Sequence, residues 1–128
     1  MEAVYIVILL ALLEYQALGG LVGRARSRFG VKAPAITGQP DFERTFRVHQ
    51  NTLESLVVFV PAVWIFGAYV SALWATALGI VFIVARVVYA VGYIRAAEKR
   101  GLGAGVSGVT MGVLVLGGLV GLGLRLMH

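Results

Sequence analysis

From Ser55 to Val70 the chain reads SLVVFVPAVWIFGAYV, with no charged residue, directly after a run dense in arginines and carboxylates. Such a segment tolerates few environments. It is one of four: the apolar cores run Val4–Val22, Val48–Val70, Leu73–Ile94 and Val106–Leu124, and a membrane span needs about 20 residues. The runs lack strand-like alternation, and lipid leaves no partner for an unpaired backbone group, so helices are the only spanning elements that fit. With their polar extensions the helices are expected at 4–22, 42–70, 73–98 and 104–125. Hydrophobic residues make up 59% of the chain, against roughly 45–50% in soluble domains. The reading is a single domain over residues 1–128, an all-α integral membrane protein built as a four-helix transmembrane bundle. The opening Met-Glu-Ala has no basic stretch, so the first span is expected to be retained rather than cleaved as a signal.

The charges give an orientation. Arg24, Arg26, Arg28, Lys32, Arg44 and Arg47 lie between or beside the first two spans, and Arg95, Lys99 and Arg100 lie between the last two. Excess Lys and Arg marks the cytoplasmic side, so both basic loops are expected there and both termini on the other side; in a bacterium this is the inner membrane. Anionic headgroups account for the net charge of +5. A nucleic-acid role is not expected, because the basic residues are tied to span ends and not interleaved with aromatics. The chain has no cysteine, so any thiol chemistry uses a thiol carried by a ligand.

Two polar faces stand at the boundary between basic loop and hydrocarbon. Arg44, Arg47, Asn51 and Glu54 recur at helical spacing in the second helix. Arg86, Tyr89, Tyr93 and Arg100 do the same in the third, sharing one face. The deepest charges of the two faces are Glu54 and Arg86, and pairing them is the simplest way to keep both ionised. Glu14 and Gln16 sit inside the first span, where a carboxylate costs about 2.5 kcal/mol or more; an interhelical hydrogen bond that fixes the bundle is the favoured role for Glu14. Asp41 is the expected start of the second helix, after a loop held non-helical by Pro34 and Pro40. Pro61 is expected to kink that helix, and Trp64 and Tyr69 to settle at the far interface. In the fourth helix Gly108 with Gly112, and Gly117 with Gly121, form small-residue ridges suited to close packing. No metal site is expected, since His49 stands alone and His128 is the last residue.

Arginines, tyrosines, an asparagine and a glutamate together suit a small water-soluble ligand carrying both signs, such as a peptide-like molecule. The strings FERTFRVHQNTLE (Phe42 to Glu54) and ARVVYAVGYIRAAEKR (Ala85 to Arg100), within four spans, resemble the MAPEG family, the membrane-associated proteins of eicosanoid and glutathione metabolism, in a bacterial-type form. The resemblance covers Arg26 to Arg100. It implies a homotrimer that binds glutathione at subunit interfaces and acts as a glutathione transferase or peroxidase in detoxification, on a hydrophobic small molecule or lipid reached through the membrane. By the same resemblance Arg47, Asn51, Glu54, Tyr89, Tyr93 and Arg100 would bind glutathione from one subunit. Arg26 and His49 would reach in from the neighbour, His49 standing where some members have Gln, and Arg86 belongs to the same motif. Arg100 matches the arginine that stabilises the glutathione thiolate in leukotriene-forming members and would be the catalytic residue, with Lys99 and Arg95 as alternatives on the same segment.

Two positions depart from those members. Ser55 stands where they have a glutathione-contacting Tyr, and Ser27 replaces the second of their paired arginines, so a specific eicosanoid activity does not carry over. The competing class is a non-catalytic, lipid-binding membrane scaffold of the same fold, which has no need of the Arg100 and tyrosine stripe retained here. A channel is disfavoured, because the outer halves of spans two to four offer no polar path.

Overall fold

The computed structural model describes all 128 residues. Four α-helices fill it: α1 (Glu2–Phe29), α2 (Pro40–Tyr69), α3 (Ala72–Arg95) and α4 (Gly101–Met127), with one 3-10 turn at Ala97–Arg100 before α4. Each helix is long and apolar enough to cross a membrane, and the architecture is that of a multi-pass integral membrane protein. A helix of the 28 residues of α1 measures roughly 42 Å, more than the hydrocarbon core alone requires. The surplus lies at the basic end, where α1 carries Arg24, Arg26 and Arg28 on helix and not in a loop as their charge suggested.

Local chemistry sets the helix ends. Gly30 closes α1 in the left-handed region (φ 67°), where its missing Cβ avoids a clash, and its N–H reaches the Arg26 carbonyl. α2 begins one residue before Asp41: Pro40 occupies the first turn, and the Gln39 side chain accepts from the Asp41 N–H at 2.6 Å. Asp41 pairs instead with Arg44. Arg44 Nε also donates to the Ile94 carbonyl at 3.1 Å, tying the start of α2 to the end of α3. α2 continues through Pro61 to Tyr69 as one helix. At the opposite end Ser71 caps α3 by accepting from the Trp74 N–H at 3.2 Å, so α2 and α3 meet in a tight antiparallel turn.

α3 does not continue to Arg100. It ends at Arg95, Ala96 is extended (φ −163°, ψ 134°), and the chain turns back through the 3-10 segment straight into α4. The reversal brings the Lys99 carbonyl onto Gly92, where any Cβ would collide with it.

α2 and α3 form the centre of the bundle, with α1 packed on both and α4 packed on both. The main core lies toward the end away from the basic loops. There Phe59 and Phe82 stack with centroids 3.9 Å apart, surrounded by Val4, Val7, Val63 and Leu114. Gly79 of α3 takes Val7 of α1 against its backbone, and Gly103 of α4 takes the backbone of Tyr89. Of the two glycine ridges expected on α4, Gly117 packs on Phe66 of α2 and Gly121 on Val70 just beyond it, whereas Gly108 and Gly112 face outward.

Candidate functional site

The predicted residues gather at the basic end, and they divide into an exposed face and a buried support. On α2, Arg47 and Glu54 are exposed and Asn51 is half-buried between them. Asn51 Nδ2 donates to Tyr89 Oη at 2.7 Å, across the α2–α3 interface. Tyr89 is 3% exposed, and its ring meets that of Tyr93 edge to face at 5.6 Å. Tyr93 in turn has the Arg100 guanidinium 5.6 Å from its ring centre. Arg100 therefore reaches the tyrosine stripe although it is not on the same helix. The fold-back at Ala96 returns it, and its Nη1 donates to the Ala97 carbonyl at 2.8 Å.

Beside this stripe lies a groove of about 460 Å³ lined by Arg44, Arg47, Gln50, Phe46, Tyr93 and Ala97, within the roughly 300–1,000 Å³ of small-molecule sites. It combines two guanidiniums and the Glu43 carboxylate with hydrogen-bonding side chains and an aromatic wall. Carboxylates and amides are the groups such a lining accepts. Gln50, which periodicity alone did not single out, is part of it. The signal was present, since Gln50 is polar and adjacent to Asn51.

Arg86 lies behind the face, not on it. It is 4% exposed; Nη2 donates to Thr52 Oγ1 at 2.9 Å, Nη1 donates to Ser107 Oγ at 3.3 Å, and the guanidinium stacks 3.9 Å over the Tyr89 ring. The expected Glu54–Arg86 pair is not formed: Glu54 points outward from α2 while Arg86 is buried among α2, α3 and α4. Thr52 and Ser107 are hydrogen-bond partners of Arg86 that the sequence did not reveal, because each hydroxyl looks like an ordinary polar residue in a span.

His49 and Arg26 face elsewhere. His49 stacks on Tyr15 of α1 with centroids 4.4 Å apart, its Nε2 resting against Gly19. This follows from its position two residues from both Arg47 and Asn51, which turns it to the other side of α2. Arg26 holds the α1–α2 connection, donating to the Ala35 carbonyl at 2.7 Å and lying 5.1 Å from the Phe42 ring. No group of three or more His, Cys, Asp or Glu side chains comes together as a metal cage.

The profile of the MAPEG family matches residues 3–125. The chain belongs to the MAPEG family. An uncharacterised protein of Synechocystis sp. is 45% identical over 111 residues, 87% of this chain and 81% of its own. Microsomal glutathione S-transferase 2 of Bos taurus is 42% identical over 101 residues, 79% and 69% of the two chains. Leukotriene C4 synthase of Bos taurus is 37% identical over 76 residues, 59% of this chain and 51% of its own. The family resemblance carried by Phe42–Glu54 and Ala85–Arg100 thus extends over all four helices of this MAPEG chain.

Proposed function

We propose that this MAPEG protein is a membrane-bound glutathione transferase that conjugates the tripeptide to lipophilic electrophiles, and that the same site serves hydroperoxide reduction. The observation that carries the reading is the connected cluster of Asn51, Tyr89, Tyr93 and Arg100 beside a groove at the basic end that Arg47 lines, in a chain similar to proteins named glutathione S-transferase. Arg47 binds a glutathione carboxylate, Glu54 the α-ammonium group, and Asn51 a backbone amide. Arg86 supports them from behind.

Arg100 acts on the thiol. A free thiol with a pKa near 8.5 is mostly protonated at neutral pH, and an adjacent guanidinium favours the thiolate. The thiolate sulfur attacks the electrophilic carbon, forming a C–S bond as the leaving group departs with its electron pair, and the thiol proton passes to water. The electrophile arrives from the bilayer, which borders the exposed apolar sides of the helices.

The site is completed by neighbouring copies. Arg47, Glu54 and Arg100 lie on the surface of a single chain, and polar groups at the edge of hydrocarbon need cover. His49 and Arg26, directed away from the groove of their own chain, belong to the side a neighbour would present. The assembly is a homotrimer, with both basic loops on the cytoplasmic side.

Detergent-purified protein tests this directly, by calorimetric titration with glutathione and by turnover with a chlorinated aromatic and a lipid hydroperoxide in parallel. Saturable binding with turnover of either substrate is the expected result. No glutathione binding, with retention of lipid alone, would identify the lipid-binding scaffold instead.

A further inference from the structure

Arg86 is a full charge buried inside a membrane-spanning bundle, and its hydrogen-bond partners Thr52 and Ser107 are neutral. Its Nε is buried without a hydrogen-bond partner. Such a charge requires a counter-charge nearby. The chain has six acidic residues, and five are placed elsewhere. Glu2 lies at the far end beside the N-terminus, Asp41 pairs with Arg44, Glu43 accepts from the Gly38 N–H, and Glu54 and Glu98 are exposed.

Glu14 remains, and the helix register leads to it. α1 and α3 run in the same direction, since each is joined to α2 at opposite ends of that helix. Val7 of α1 packs on Gly79 of α3. Glu14 lies seven residues beyond Val7 and Arg86 seven beyond Gly79, which is about two turns on each helix and returns both side chains to the shared face at one level. One turn further on, Leu18 packs with Tyr89 and Ala90. Glu14 and Arg86 thus occupy one layer between two packed apolar layers. The Glu14 Oε2 is the other buried side-chain atom without a hydrogen-bond partner.

We propose that Glu14 is the counter-charge of Arg86 inside the bundle and, through it, a positioning residue for Tyr89 and Asn51 on the ligand-binding face. Arg86 holds both sides of that face: its guanidinium covers the Tyr89 ring, and it donates to Thr52, the residue next to Asn51. Glu14 fixes where that guanidinium sits. The second half of the proposal rests on the glutathione reading; the first does not.

The test uses full-length protein in detergent with Glu14→Gln, Arg86→Gln and the double variant. Each single change leaves a lone buried charge and lowers the Tm by about 5 °C or more, whereas the double variant loses clearly less than the sum. Additive losses would overturn the pairing. In steady-state kinetics Glu14→Gln raises the KM for glutathione about ten-fold, equivalent to about 1.4 kcal/mol, with kcat little changed, and Glu14→Asp recovers most of the loss. A lowered Tm with an unchanged KM would overturn the positioning role and leave Glu14 purely structural. Absence of glutathione binding in the unaltered protein would defeat the proposed function, and the positioning role with it, while the thermal cycle still decides the pairing.

Discussion

Asn51 of α2 donates its amide to the Tyr89 hydroxyl of α3 at 2.7 Å. The bond locks together the two helices that carry the candidate site, and it fixes the orientation of the Asn51 amide. Tyr89→Phe removes the acceptor but keeps the ring under Arg86. A hydrogen bond of this kind is worth about 1 kcal/mol, so Tm should fall by a few degrees and glutathione affinity by up to roughly five-fold as the Asn51 amide loses its fixed orientation. Calorimetric titration of the variant checks this, and an unchanged affinity would detach Asn51 from the ligand.

Arg100→Ala should abolish the thiolate absorbance band of the glutathione complex near neutral pH while leaving binding detectable. Arg100 is held by the Ala97 carbonyl and the Tyr93 ring at the rim of the bundle, so its removal leaves no cavity in the core. Persistence of the band would move thiol activation to Lys99 or Arg95.

Arg47→Ala and Glu54→Ala should each weaken glutathione binding by about ten-fold or more, as expected when one partner of a charge-assisted contact is lost. Native mass spectrometry should show the oligomer intact in both, because the proposed partner of each side chain is the ligand and not the neighbouring subunit. Dispersal to monomers would assign the two residues to assembly and not to the ligand.

Gly103→Ala should cost about 1–3 kcal/mol, read as a lowered Tm, because its methyl group would meet the Tyr89 backbone. The same change at Gly105, which opens on free space in the chain, should be neutral or slightly stabilising, since alanine favours helix. The pair of variants separates close packing under Tyr89 from a general intolerance of α4 to added methyl groups.

Much of this was legible along the chain. The four spans, the basic end and the polar stripe of α2 follow from composition and period, because lipid forces the backbone into helices and a helix repeats its faces every few residues. Membership of the stripe by Arg47, Asn51 and Glu54 needed nothing more than spacing.

Partners were another matter. Glu54 and Arg86 looked matched in depth and sign, but depth does not say how a helix is rotated about its axis. That rotation is set by where one helix finds a recess in another, at Gly79 beneath Val7 and at Gly103 beneath Tyr89. These contacts turn Arg86 toward Thr52, Ser107 and the level of Glu14, and leave Glu54 facing outward. Arg100 shows the same limit differently: spacing put it on the tyrosine stripe by continuing α3, whereas the chain breaks at Ala96 and folds back to bring it there. The sequence by itself determined which side chains lie at the membrane boundary, since that depends on hydropathy summed along one helix. The tertiary structure alone decided which of them meet, since that depends on steric fit between helices far apart in the chain.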